Sequence, residues 1–185
     1  MGSANAQYNL GCCYGDGDGV EQNYKQAAYW LERAAEQNDA DAQYYLSDLY
    51  EYGKGVELDE KKAMELCLKA AEQGHADAQY SAGHNYHAGN LVEVDFNKAV
   101  YWYQKAADQK NAKAQCWLGL CYEKAEGVEE DCDKAVLLYR EAAEQGDGQA
   151  QYFLGNCYRD GYGLDEDIEQ AAAWYKKAAG QGIAE

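Results

Sequence analysis

The chain contains no proline. Every helix stop therefore has to be made by Gly, Asn or Asp, residues that tolerate a left-handed backbone or cap a helix end. Apolar runs long enough to cross a membrane are also missing, as are the basic and apolar segments of a signal peptide. No targeting signal is seen, and the expected location is cytoplasmic. Positive charge is scarce: 16 Lys plus Arg stand against 33 Asp plus Glu, a net charge of −17. Long-range repulsion disfavours binding to nucleic acid phosphates or anionic lipid, so neither nucleic acid nor membrane is expected as a partner. The same charge favours a basic protein or peptide, unless it only keeps the chain soluble.

What is present is a repeat. The pair Ala-Gln occurs at Ala6-Gln7, Ala42-Gln43, Ala78-Gln79, Ala114-Gln115 and Ala150-Gln151, each 36 residues after the last. Ala34-Ala35, Ala70-Ala71, Ala106-Ala107, Ala142-Ala143 and Ala178-Ala179 keep the same step without insertion or deletion. Such a period predicts an array of identical supersecondary units, each packing on its neighbours. The units read as 4–38, 39–74, 75–110, 111–146 and 147–182. Met1-Gly2-Ser3 reads as a cloning scar and the whole as a fragment cut at repeat boundaries, expected to be a monomer, with end-to-end stacking of uncapped repeats the other assembly.

Each unit predicts two helices. The first begins after Asp39, His75, Asn111 or Asp147 and ends at loop glycines such as Gly17-Asp18-Gly19, Gly53-Lys54-Gly55 and Gly161-Tyr162-Gly163. The second starts from Asn23, Asp59, Asp95, Asp131 and Asp167, an Asn or Asp in all five units, and stops at Asn38, Gly74, Gly146 and Gly182. Lys110 breaks that series, so a less well defined helix end is expected in the third unit. The helical period places Ala42, Leu46, Leu49, Tyr50 and Gly53 on one face, and Ala63, Leu66, Cys67, Ala70 and Ala71 on the other helix's inner face. The bulky series Trp30, Leu66, Trp102, Leu138 and Trp174 is expected to fill the core, which accounts for aromatic content without a cofactor.

Seven cysteines, Cys12, Cys13, Cys67, Cys116, Cys121, Cys132 and Cys157, show no paired spacing within each unit. Cys121 and Cys157 share a repeat position, hence about 10 Å apart and beyond disulfide reach. Reduced thiols in a reducing compartment are expected.

The pattern AQYxLGxxYxxGxGV, the capped second helix and the 36-residue step resemble the Sel-1-like repeat family, related to tetratricopeptide arrays. Gly155, Tyr158, Gly161, Gly163, Trp174, Tyr175, Lys177, Ala178 and Ala179 carry it in the last unit, and Leu10, Gly11, Tyr14, Gly17, Gly19 and Val20 in the first. Departures are local: Ser47 replaces a first-helix glycine, Leu91 and Ala125 replace loop glycines, and Cys116 replaces an aromatic residue, leaving loop geometry open. The resemblance implies an all-α fold, a right-handed superhelical solenoid of helix-turn-helix repeats whose first helices line a concave groove. It also implies a non-enzymatic scaffold for protein partners. Some secreted relatives with a disulfide in every repeat have been described as penicillin-binding or weakly β-lactamase-like. This chain lacks those cysteine pairs, and the β-lactam reading stays the alternative.

Repeat positions that change residue type are where a partner would be read. Four, three and four residues apart on the first helix, the units give Asp41, Tyr45, Asp48, Tyr52; Asp77, Ser81, His84, Ala88; Lys113, Trp117, Leu120, Lys124; and Gln149, Phe153, Asn156, Asp160. From these, Tyr45, Asp48, Tyr52, His84, Trp117, Leu120, Lys124, Phe153, Asn156 and Asp160 are the candidate partner-binding residues. Tyr45, Trp117 and Phe153 are the aromatic anchors, with packing on the neighbouring unit as the competing role.

Chemical sites find less support. Asp16-Gly17-Asp18-Gly19 suggests a calcium loop, but Val20 and Glu21 stand where a ligand and a glycine belong, and no Glu follows at the twelfth position. His84 and His87 are spaced for a shared metal, with His75 and Asp77 near in sequence, but no full ligand set recurs. Ser81 with His84 lacks a group to orient the histidine. The acidic runs Glu57 to Glu60, Glu129 to Asp133 and Asp165 to Glu169 sit at second-helix starts, where negative charge complements the helix dipole. No catalytic residue, metal or cofactor is assigned.

Overall fold

The computed structural model describes residues 2–181, so Met1 of the proposed scar and Gly182, expected to stop the last helix, lie outside the described residues. The order is α1 (Ala4–Asp16), α2 (Tyr24–Ala35), α3 (Ala40–Glu51), α4 (Glu60–Glu72), α5 (Ala76–Ala88), α6 (Phe96–Asp108), α7 (Ala112–Lys124), α8 (Cys132–Glu144), α9 (Gly148–Asp160) and α10 (Ile168–Ala179). Among the described residues there is no strand. Two compact units result, Met1–Glu93 with α1 to α5 and Val94–Glu185 with α6 to α10. Each contains its own buried core of alanines, leucines and aromatics.

Helix starts are made by side chains. Asp59, Asp95, Asp131 and Asp167 accept from the backbone N–H three residues on, at 2.9, 3.1, 3.0 and 3.0 Å, and Asn23 accepts from Lys25 and Gln26. Asp39, His75, Asn111 and Asp147 do the same for the first helices. Each such cap is worth about 1 kcal/mol. The cap of α5 is the imidazole Nδ1 of His75, 3.1 Å from the Ala78 N–H, while Nε2 faces Asp41 Oδ1 at 3.2 Å. That engagement takes His75 out of any ligand set with His84 and His87.

The expected irregularity at Lys110 is not found. Lys110 adopts φ 64°, beside 65° for Asn38, and its N–H bonds to Ala107 O at 2.8 Å while Asn111 N–H bonds to Ala106 O at 3.1 Å. Gly74 and Gly146 close α4 and α8 with the same pair of bonds. The bonds of the terminus hold lysine in a left-handed conformation that costs it roughly 1 kcal/mol. Ala125 likewise keeps the loop geometry of the glycine it replaces, with φ 56°. Leu91 is not among the positive-φ residues; its side chain instead packs against the core of the first unit.

The bulky series expected in the core is buried in two units, at Leu66 and Trp102, and only half-buried in the other three. Trp30, Leu138 and Trp174 are half-buried; one residue later in the repeat, Leu31, Tyr103 and Tyr139 are fully buried, while Tyr175 is half-buried like Trp174. The cause is a glycine on the facing first helix. A Cβ on Gly11 would lie 2.7 Å from Leu31 Cγ, one on Gly119 2.8 Å from Tyr139 Cε1, and one on Gly155 2.6 Å from Tyr175 Cε1. Where Ser47 replaces that glycine, the residue at the repeat position of Leu31 and Tyr139 is the smaller Cys67, and both are buried. The departure is compensated within its own unit, as a close-packed interior requires.

Candidate functional site

The turn between α3 and α4 organises this site. Gly53 and Gly55 have φ 61° and 74°, and a Cβ on Gly55 would fall 2.3 Å from the backbone carbonyl of Tyr24 at the start of α2. Only glycine allows that approach. It carries Lys54, between the two glycines, to the aromatic faces of Tyr24 and Tyr52, with the ammonium 5.7 and 5.3 Å from their ring centres.

Lys54, Tyr24 and Tyr52 line a cavity of about 380 Å³ whose remaining wall includes Gly15, Asp16, Gln22, Tyr45, Asp48 and Leu49. Gln22 Nε2 donates to Gly15 O at 2.7 Å and to Tyr24 Oη at 3.1 Å, fixing the lip. Tyr45 donates to Asp16 Oδ1 at 3.1 Å across to α1. A second cavity of about 290 Å³ adjoins on the α5 side, lined by Tyr44, Glu51, Tyr80, Ser81, His84, Asn85 and Asn90 together with the same Asp48 and Tyr52. Tyr44 Oη and Ser81 Oγ lie 3.0 Å apart in that wall, so Ser81 is engaged with a phenol. Asp48 and Tyr52 thus form the ridge between two cavities.

Burial pushes the Asp48 carboxyl up to about 6, with repulsion from Glu51 adding to it and the Lys54 ammonium opposing it. Burial also holds the His84 imidazole below its ordinary value, with His87 as the second cause. Tyr45 is raised by burial and by its bond to the Asp16 carboxylate, which needs the phenol proton.

The candidate residues divide clearly. Asp48, Tyr52 and His84 line the cavities. Tyr45 is a wall residue whose hydroxyl occupies the space a Cβ on Gly15 would need. Phe153 leans on Tyr139 with ring centres 5.2 Å apart, and Trp117 stacks on Tyr103 at 6.4 Å, so both rings are half-buried against the preceding repeat. Asn156 Oδ1 accepts from Tyr175 Oη at 2.7 Å, Lys124 pairs with Glu123 at 2.9 Å, and Asp160 takes a two-bond clamp from Arg159. Leu120 is half-buried. The sequence face missed Asp16, Tyr24 and Lys54. One signal was available: between the loop glycine positions the units carry Asp18, Lys54, Asn90, Glu126 and Tyr162, so the second alone has a cation there.

Comparison with known proteins supplies the context. The Sel1 repeat family matches five times, at residues 4–39, 40–75, 76–111, 112–147 and 148–183. A Sel1 repeat protein from Oxalobacter formigenes is 38% identical, with a TM-score of 0.92 over 97% of this chain and 72% of that one. Protein c5321 of Escherichia coli, described as a protective antigen present in uropathogenic strains displaying an SLR fold, is 36% identical with a TM-score of 0.90; this chain spans only 38% of its length. Helicobacter pylori cysteine rich protein B is 25% identical over 68% of this chain, with a TM-score of 0.54. Among curated proteins none matches the sequence. The ten helices among the described residues are accordingly of the α-solenoid fold class, as five 36-residue repeats.

Proposed function

Because the chain belongs to the Sel1 repeat family, we propose that it is a non-enzymatic interaction scaffold that takes a peptide or partner segment on the first-helix surface of its repeats. Sel1 repeats generally mediate protein–protein interactions, and no helix among the described residues is long and apolar enough to cross a membrane. The observation that carries the reading is the pair of adjoining cavities on α3, which share Asp48 and Tyr52 and offer consecutive receptors to an extended chain. Aromatic and charged groups in neighbouring pockets are the usual anchors of such recognition. The β-lactam alternative has no observation in its favour: all seven cysteines are free, four of them buried.

Site-specific cross-linking tests the surface. Benzoyl-phenylalanine in place of Tyr52 should capture partner protein from lysate of the source organism, whereas the same replacement at Tyr29, 48% exposed on α2, should not. Cross-links at position 29 alone would move the binding surface to the second helices.

A further inference from the structure

The cavity beside α1 has a feature that a general docking groove does not need: one of the protein's own cations already sits in its mouth. Lys54 hangs from the Gly53–Gly55 turn, its ammonium within cation–π range of Tyr24 and Tyr52, and its charge bears on the half-buried Asp48 carboxylate. The same wall holds the Asp16 carboxylate, which has an acceptor oxygen beyond the one bonded to Tyr45. Two carboxylates and two ring faces around one space make a receptor for an organic cation, since ring quadrupoles and carboxylates both attract it. A bare metal ion suits it less, because rings supply no ligand oxygens.

We propose that this cavity receives one lysine or arginine side chain of the partner, and that Lys54 is an internal stand-in which the incoming cation displaces. This rests on the scaffold reading and names the partner's chemistry at one position. Charge complementarity supports the choice: the whole chain carries −17, and a basic segment would be drawn to it before reaching the pocket. Lys54 is suited to yield because its turn is anchored by backbone, through Gly55 against Tyr24 and through Lys54 N–H to Leu49 O at 2.9 Å. Its side chain can therefore swing out while the turn stays in place.

The occupant is also pH-sensitive. The charged and titratable groups around Asp48 are Tyr44, Tyr45, Glu51 and Tyr52 on its own helix or at its end, Lys54 in the following turn, Asp16 from α1, Tyr24 from α2, Cys67 from α4, and Tyr80 and His84 from α5. Protonation of Asp48 near pH 6 removes one of the two carboxylates, so capture of a cation should weaken as pH falls through that range.

The test measures fluorescence anisotropy of a labelled peptide of repeating Lys-Gly-Ser, with Arg and Glu counterparts, at fixed salt and at pH 7.5 and 5.0. The Lys and Arg peptides should bind and the Glu peptide should not. Asp48→Asn and Tyr52→Ala should each weaken binding about three- to ten-fold, and Lys54→Ala should tighten it about two- to five-fold. Charge-matched controls on the same unit, Glu65→Gln and Lys61→Ala on exposed α4 positions, should stay within about 1.5-fold of the parent. Equal effects at pocket and control positions would reduce the binding to diffuse attraction and overturn the proposal. So would an unchanged affinity for Lys54→Ala, or no binding of either basic peptide. If these peptides fail while cross-linking at position 52 still captures partner, the cation receptor is wrong and the scaffold reading stands; loss of both removes the surface itself.

Discussion

Gln73 donates its side-chain amide to Gln43 Oε1 at 2.7 Å, joining the end of α4 to the buried start of α3. Gln37 to Gln7, Gln145 to Gln115 and Gln181 to Gln151 repeat the bond at 2.6, 2.6 and 3.0 Å. Gln43 Nε2 also reaches Ala35 O at 3.3 Å, as Gln79 reaches Ala71 O and Gln151 reaches Ala143 O. One glutamine amide therefore ties the preceding repeat's second helix to both helices of its own. Gln43→Ala should lower stability by about 1 to 3 kcal/mol by leaving buried polar groups unpaired. Urea unfolding followed by circular dichroism checks this, and a change below about 0.5 kcal/mol would show that water replaces the amide.

Two loop glycines separate backbone strain from close approach. Gly19 and Gly55 have nearly equal φ, 72° and 74°, but nothing lies within 4 Å of a Cβ on Gly19, while one on Gly55 would strike Tyr24. Gly19→Ala should cost about 1 to 2 kcal/mol from the left-handed backbone alone, and Gly55→Ala about 1 to 3 kcal/mol more. The second variant should also displace Lys54 and alter basic-peptide affinity. Equal losses for the two would dismiss the contact with Tyr24.

Lys110→Gly should raise stability by no more than about 0.5 kcal/mol. The terminus already holds φ 64°, so glycine relieves the left-handed cost, less the entropy it adds to the unfolded chain. Thermal melting of the pair settles the sign.

Asp48 sets a pH dependence of stability. Its folded value is raised to about 6 from an ordinary 3.8, so its favourable contribution is complete below the ordinary value and is lost as pH rises through 6. Asp48→Asn should then stabilise the protein at pH 8, by on the order of 1 kcal/mol once solvent screening is allowed for, with the advantage shrinking toward pH 4. Melting curves at both pH values test it, and a constant difference would mean that Asp48 titrates normally.

The 36-residue period, the Asn or Asp before every second helix and the Ala-Gln pairs were enough to define the ten helices of the described residues, because caps and helical periodicity act within a few residues of the chain. The candidate face was legible in part: Asp48, Tyr52 and His84 do line cavities, while Phe153 and Trp117 turn toward buried tyrosines. Adjacent residues on a helix differ by about 100° in direction, so period alone could not choose between Trp30 and Leu31 for the interior. The bare backbone of Gly11 made that choice, since Leu31 fills the space where a Cβ would sit. Lys54 is the same case at the surface. Its turn could be read from two glycines, but only packing of Gly55 on the Tyr24 backbone brings the ammonium to the rings and the carboxylate, because that approach joins chain segments some thirty residues apart.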